Sequence, residues 1–285
     1  MKRAVLCGIF LAVMSSAEAQ HVLEPSLGER LVGAVTEGDA EKTPALLDEW
    51  KGTGKPWPLG PDDKPLLFVA IERREKTHPE IIELLLENGA KVETRGPLGM
   101  TALHWAAGNG YVERTAQILR HRPHLEATDG RGRTPLLVAH SDAAQKLLDA
   151  GANLLTTDKD GMSALHYAAQ SGAAHLNILF RAGFTLVDAR SNAGVTPLHV
   201  AALEGTESAA RWLLDHGANL NAAVAADYFY LPRNLAAGYG YEVRMQRGST
   251  PLRLVSAEYK RAKRGSDRYR PTLELLKARG AQFNR

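Results

Sequence analysis

The stretch GMTALHWAAGNG, residues 99–110, contains no catalytic motif, but its pattern returns later in the chain. Close copies of TALHWAAGNG, which begins at Thr101, are SALHYAAQSG from Ser163 and TPLHVAALEG from Thr196. Weaker copies begin at Lys64, Thr134 and Thr250. From Thr101 onward, successive Thr or Ser anchors lie 33, 29, 33 and 54 residues apart. A period of this length predicts one supersecondary unit per copy, with each unit stacked against its neighbours.

Each copy carries the residue types expected of two short helices joined by a turn. Its Thr or Ser stands where a side chain caps a helix, and in the copies from Thr134, Thr196 and Thr250 a Pro occupies the first helical position. A Leu is placed to enter the core, an Ala pair allows close helix contact, and a Gly ends the helix. A second, amphipathic helix follows each copy. These second helices are IELLLENGA (82–90), QKLLDAGAN (145–153), LNILFRAGF (176–184), RWLLDHGAN (211–219) and LELLKARGA (273–281).

A period near 33 residues built on T-P-L-H-x-A-A resembles the ankyrin-repeat family, from about residue 28 to residue 285. The resemblance implies an all-α solenoid of about seven helix-turn-helix repeats, with a long insertion before the last one. A divergent first pair runs from Gly28 to about Trp50, and its acidic residues suit a terminal cap. The resemblance also implies a non-catalytic protein that recognises a protein partner on its concave face.

Three histidines, His104, His166 and His199, occupy the same position of three copies. A metal or acid–base role is one interpretation. The resemblance implies the other, in which each ring bonds backbone groups of adjacent loops, and we favour it because equivalent positions in stacked repeats lie apart. The next residues, Trp105 and Tyr167, are predicted to be core.

Two repeats depart from the pattern. The copy from Thr134 lacks about four residues of the turn between its helices, which predicts shorter helices there. In the repeat from Lys64, Thr77 and Glu80 are spaced as a capping box for the second helix.

The largest departure is an insertion at residues 222–247, which lengthens the repeat spacing from 33 to 54 residues. It holds five aromatic residues, and two functions remain open for it. Insertions in repeat proteins often lie on the binding face, where aromatic residues are frequent hot spots. Alternatively, the insertion folds back and packs its aromatic residues on the last repeats. The five residues are Tyr228, Phe229, Tyr230, Tyr239 and Tyr241.

The first nineteen residues are predicted to be a cleaved signal peptide, which leaves a single domain at 20–285. Lys2 and Arg3 precede eleven apolar residues, Ala4 to Met14, and a small-x-small sequence ends at Ala19. Eleven apolar residues are too few to span a bilayer of about 30 Å. The single cysteine of the chain, Cys7, lies in this leader, so no disulfide is expected in the mature protein. The expected location is a bacterial periplasm.

Charge is concentrated at the C-terminus. The whole chain carries a net charge of +3, which by itself does not predict binding to nucleic acid. Residues 253–285 hold ten Lys or Arg against three acidic residues. This segment is either a solvated cap or a patch for an acidic partner, and contact with a membrane surface is the weaker alternative.

The chain shows no G-x-S-x-G, H-E-x-x-H or C-x-x-C motif, and GTGKP at 52–56 lacks the first Gly of a phosphate-binding loop. No catalytic residue, metal ligand or cofactor site is predicted, and the protein is expected not to be an enzyme.

The partner-binding residues implied by the resemblance lie just before each T-P-L-H box and just after each Ala pair, and the aromatic residues of the insertion join them. The best hypothesis is a periplasmic immunity protein that neutralises a secreted antibacterial toxin; the alternative is a periplasmic scaffold or oxidative-stress accessory protein. The predicted contact residues before and after the boxes are Met100, Asn109, Arg131, Arg133, Lys159, Asp160, Met162, Gln170, Asn192, Val195 and Glu204.

Overall fold

The computed structural model describes residues 25–72, 80–230, 243–261 and 266–282. The chain forms two compact units, residues 1–88 and residues 89–285. The described residues are mostly helical and contain fourteen α-helices. None of the helices in these ranges is long and apolar enough to cross a bilayer.

The first unit consists of two helix pairs. Helices α1 (Leu27–Glu37) and α2 (Lys42–Gly52) form the first pair, and α3 (Leu66–Glu72) and α4 (Glu80–Glu87) form the second. Helix α1 begins with a capping box, in which the Ser26 hydroxyl accepts from the Glu29 N–H and Glu29 accepts from the Ser26 N–H. The predicted divergent first pair is therefore present. The predicted capping box at Thr77 lies outside the described residues.

The second unit consists of five helix pairs in which a short inner helix is followed by an outer one. Inner helices pack on the inner helices of the next repeat, and outer helices on outer ones. The helices are α5 (Ala102–Gly108), α6 (Val112–Arg120), α7 (Pro135–Val138), α8 (Ser141–Asp149), α9 (Ala164–Ser171), α10 (Ala173–Arg181), α11 (Pro197–Glu204), α12 (Glu207–Asp215), α13 (Pro251–Arg261) and α14 (Arg270–Ala278). Helix α7 has only four residues, as the missing turn residues predict, whereas α8 has nine.

Capping boxes start three of the inner helices. In α5, α9 and α11 the Thr or Ser bonds the N3 backbone, and the ring of the N3 His bonds the backbone of the cap. The predicted cap at Thr134 is wrong, because its hydroxyl makes no bond to α7 and instead lies 3.5 Å from the Thr156 hydroxyl. Leu137 stands where the copies from Thr101, Ser163 and Thr196 have His, so no ring bridges this cap.

The insertion adds strands to a fold that was predicted to be all-α. Strands β1 (Tyr228–Tyr230) and β2 (Val243–Met245) pair antiparallel, with Phe229 opposite Arg244. The stem of the insertion is closed by backbone bonds, from Val224 N–H to Ser249 O at 3.0 Å and from Gly248 N–H to Val224 O at 2.8 Å. Within the described ranges the fold is thus mostly helical with one two-stranded sheet.

Side-chain oxygens link the loops that follow the outer helices of the second unit. In most of these loops an acidic or amide side chain accepts from a backbone N–H of the next repeat. The pairs are Glu93 with His124 at 2.6 Å, Glu126 with Asn153 at 2.7 Å, Asp188 with Asn219 at 2.9 Å, and Asn221 with Gln282 at 3.1 Å. Leu155 occupies the equivalent position of its repeat, but its side chain has no oxygen that could accept such a bond. It is 67% exposed.

Replacing Leu155 with Glu is expected to raise the free energy of unfolding by about 1 kcal/mol, because a carboxylate there can accept from the backbone at 185–186. Urea denaturation measures the change. Leu59→Glu is the matched control, since Leu59 is 54% exposed and lies in the first unit, away from both ends of the new bond. Equal gains in the two variants would show that removing an exposed leucine, and not a new bond between repeats, causes the effect.

Candidate partner-binding surface

The three equivalent histidines are structural. The Nε2–H of His104 donates to Arg133 O at 2.8 Å, that of His166 to Val195 O at 2.9 Å, and that of His199 to Ser249 O at 3.1 Å. On the other side of each ring, Nδ1 bonds the cap of its own helix. Burial lowers the pKa of His166 and His199 to about 4, and it lowers the pKa of His104 as well. These bonds to the next loop confirm the structural interpretation of the rings.

No group of three His, Cys, Asp or Glu side chains suited to a metal ion occurs within the described ranges. The residues after the histidines, Trp105 and Tyr167, are half-buried and not fully buried. Tyr167 packs against the apolar core cluster, which confirms the core prediction in part. The Tyr167 hydroxyl donates to Asp158 at 2.6 Å, which keeps its polar end at the edge of the core.

The loops before the inner helices, which we call the fingers, are tied to one another by backbone bonds. Gly130 N–H donates to Leu98 O at 2.9 Å, Lys159 N–H to Arg131 O at 3.2 Å, and Asn192 N–H to Asp160 O at 2.9 Å. Glycine is required where the fingers meet: Gly161 has φ 75°, and a Cβ there would lie 2.6 Å from the Asn192 Oδ1. The fingers therefore hold their exposed side chains at fixed spacing.

The predicted contact residues divide by exposure. Half-buried are Met100, Arg133, Gln170 and Tyr228. Exposed are Asn109, Arg131, Lys159, Asp160, Asn192 and Phe229. We call the surface formed by the exposed finger residues Leu98, Arg131 and Lys159 together with Phe229 the finger surface.

Four predicted contact residues are buried, which is a correction to their expected exposure. Met162, Val195, Glu204 and Tyr230 are each at most 4% exposed. Met162 and Val195 belong to the apolar core of the repeats, which also contains Tyr230 and the β2 residues Val243 and Met245, so these positions are not open to a partner. Tyr239 and Tyr241 lie outside the described residues.

Tyr230 anchors the insertion to the inner helices. Its hydroxyl accepts from Gln170 Nε2 of α9 at 2.6 Å and donates to Glu204 Oε1 of α11 at 3.0 Å. Burial and the neighbouring Glu204 carboxylate raise the pKa of Tyr230 well above its ordinary value. We call the pair Gln170 and Glu204 the tyrosine site. The fold-back interpretation of the insertion is confirmed for Tyr230.

The other two residues of β1, Tyr228 and Phe229, are not fully buried. The Tyr228 hydroxyl donates to Asp160 at 3.0 Å, so this ring is bonded to a finger. Phe229 points away from the core and is 57% exposed, with the guanidinium of Arg244 6.0 Å from its ring centre. Arg244 also pairs with Asp227 at 2.6 Å. One side of the small sheet is thus packed and the other presents Phe229 to solvent.

Sequence reasoning missed the role of Arg268. Its Nε donates to the Glu204 backbone O at 2.7 Å, and its guanidinium pairs with the Glu204 carboxylate at 3.0 Å. Arg279 likewise pairs with Asp215 of α12 at 2.6 Å. Part of the basic C-terminal segment therefore binds acidic residues of the preceding repeat. A net-charge count could not reveal this, because the partners lie 64 residues away in sequence.

A family model described as ankyrin repeats in three copies matches residues 66–158 and 139–224, more than half of the chain. The chain belongs to the ankyrin-repeat family. Ankyrin repeats generally mediate binding between proteins, and the fold reported above agrees with this assignment.

Similar ankyrin-containing proteins come from plants. A probable E3 ubiquitin-protein ligase of rice, XBOS33, is 32% identical over 68% of this chain and 39% of its own length. The E3 ubiquitin-protein ligase XBAT33 of Arabidopsis thaliana is 33% identical over 68% of this chain and 37% of its own. The chain thus spans about two fifths of the length of these relatives.

Among solved structures, the ankyrin repeat domain of Bcl-3, a member of the IkappaB family, superposes with a TM-score of 0.58 at 23% identity. The match covers 79% of this chain and 92% of that domain. At this level of identity the likeness supports the ankyrin fold only.

Proposed function

We propose that this ankyrin protein is non-catalytic and binds a protein partner through its finger surface. The proposal is supported by a hydrogen-bonded finger backbone that carries solvent-exposed side chains. The finger backbones are bonded from repeat to repeat, whereas Arg131, Lys159 and Phe229 remain exposed. A surface whose backbone is held in place loses little backbone entropy on binding, which favours affinity.

The charges of the finger surface indicate what kind of partner surface would fit it. Arg131 and Lys159 are basic, and Asp160 beside them already accepts a bond from Tyr228. Leu98, 72% exposed, and Phe229 add apolar area at other fingers. An acidic protein surface with apolar residues fits this arrangement, because opposite charges steer the encounter and desolvated aromatic side chains supply binding energy.

Within this role, our narrower proposal is an exported immunity protein that neutralises a secreted antibacterial toxin. It is supported by the leader-like sequence of residues 1–19 and by a domain devoted to protein recognition. The plant origin of the relatives reported above gives it no support, so it rests on the sequence alone. Deleting the gene should make cells sensitive to neighbouring strains that secrete the toxin; equal resistance would remove the immunity role.

Binding is tested with the product of the neighbouring reading frame, by calorimetric titration against the mature chain. Arg131→Glu and Phe229→Ala are each expected to weaken binding at least tenfold, a change of about 1.4 kcal/mol. Lys146→Glu is the matched control, because Lys146 is an exposed cation on the outer helix α8. Equal affinities of all the variants for the partner would contradict binding through the finger surface. A partner that binds but retains its activity would favour the scaffold or oxidative-stress accessory role.

A further inference from the structure

The insertion acts on the inner helices as a bound peptide would. Strand β1 is extended, and it places the buried Tyr230 ring against α9 and α11, two helices of other repeats. Both polar bonds of the Tyr230 hydroxyl end on side chains, Gln170 as donor and Glu204 as acceptor. A phenol satisfies both groups, since its oxygen accepts a hydrogen bond from Gln170 and its O–H donates one to Glu204.

Bonds from two residues outside the insertion hold the tyrosine site in place. Glu204 is 4% exposed, and Arg268 of the last repeat bonds both its backbone oxygen and its carboxylate. Gln170 follows the Ala pair of α9, and its backbone oxygen lies 3.4 Å from the Thr206 hydroxyl that donates to it. Arg268 therefore fixes the Glu204 carboxylate and Thr206 bonds the backbone of Gln170, and neither of these two residues belongs to β1 or β2.

We propose that the tyrosine site is a binding site for an extended, tyrosine-bearing segment of a partner protein, and that Tyr230 occupies it in the isolated chain. This inference rests on the proposed function, because it names the type of segment that the partner contributes. A partner tyrosine replaces the Tyr230 phenol between Gln170 and Glu204 and releases β1 from the inner helices. The tethered Tyr230 competes at an effective concentration of about millimolar, so strong binding requires contacts on the finger surface as well.

The test uses a capped synthetic peptide of residues 225–230, AADYFY, as the probe. The receptor is the mature chain in which residues 227–246 are replaced by Gly-Gly. This joint is feasible because Val224 bonds both Gly248 and Ser249 through the backbone. We expect the receptor to bind the peptide at least tenfold more tightly than the intact chain does. A peptide with Phe in place of the residue-230 Tyr should bind at least fivefold more weakly, because it lacks the hydroxyl.

A second variant decides the matter if the shortened receptor does not fold. In the full-length chain, Tyr230→Ala empties the site, and peptide binding should again be at least tenfold tighter than in wild type. Gln246→Ala is the matched control, since Gln246 is an exposed, uncharged residue of the same insertion outside the finger surface, and its replacement leaves the site filled. Equal peptide binding by wild type and Tyr230→Ala, or equal binding of the Tyr and Phe peptides, overturns the inference. Those results would leave the finger surface untouched, because its own test depends on Arg131 and not on the tyrosine site.

Discussion

Lowering the pH from 7.5 to 4.5 is expected to reduce the free energy of unfolding by about 5 kcal/mol, with His166 and His199 as the main cause. Both rings are buried, and their folded-state pKa is about 4, whereas an unfolded histidine titrates near 6.5. Below about pH 6.5 these two histidines bind protons in the unfolded chain but stay neutral in the folded chain. The free energy of unfolding therefore falls as the pH falls toward 4. Each ring contributes about 2 pK units over this interval, or about 2.7 kcal/mol.

Urea denaturation at half-unit steps between pH 7.5 and 4.5 measures this loss. The variant His166→Gln removes one titrating ring, and its stability should fall with pH about half as steeply as that of wild type. A free energy of unfolding that stays constant between pH 6.5 and 4.5 would contradict the burial of the rings. A loss of 5 kcal/mol is large against the roughly 5–15 kcal/mol of ordinary domains.

Replacing Glu204 with Ala is expected to lower the free energy of unfolding by about 3 kcal/mol, because its buried carboxylate accepts from Tyr230 and pairs with Arg268. The Tyr230 hydroxyl would lose its acceptor, and Arg268 would lose its charged partner. Glu204→Gln should cost less, since an amide oxygen can still accept from one of them. We also expect the insertion to detach first, because Tyr230 bonds the inner helices through Gln170 and Glu204.

Glu207→Ala is the matched control for this substitution. Glu207 begins the next helix and pairs with Arg211, but both side chains are largely exposed, so its loss should cost at most about 1 kcal/mol. Thermal and urea denaturation of the two variants at pH 7.5 measure the difference. Equal losses of stability for Glu204→Ala and Glu207→Ala would show that the Glu204 carboxylate is not a buried partner of Tyr230 and Arg268.

The repeated parts of the fold could be predicted from sequence because their signals are local. The Thr and His of TPLH lie three residues apart and bond one another, so the spacing itself predicts the cap at Thr196. The same reasoning failed at Thr134, where Leu137 replaces the His and the hydroxyl turns to Thr156. A shorter inner helix, α7, was likewise predictable from the residues missing after Ala139, whereas the same prediction was wrong for the outer helix α8, which has nine residues.

The candidate binding surface was only partly predictable because its decisive contacts join residues far apart in sequence. Tyr230 and Gln170 are 60 residues apart, and Arg268 and Glu204 are 64 apart. A repeat pattern places Glu204 on the face that partners use, but it cannot show that the insertion has covered that position. Phe229 and Tyr230 are adjacent aromatic residues with opposite exposure, and only the pairing of β1 with β2 distinguishes them.

Amide hydrogen exchange on the full-length chain at neutral pH tests most directly whether the insertion lies on the inner helices. If β1 is anchored through Tyr230, the amides of residues 228–230 should exchange at least about a hundredfold more slowly than in an unstructured peptide. In Tyr230→Ala this protection should fall while α9 and α11 remain protected. Exchange of 228–230 at the unprotected rate in the wild-type chain, with α9 and α11 still protected, would contradict the account.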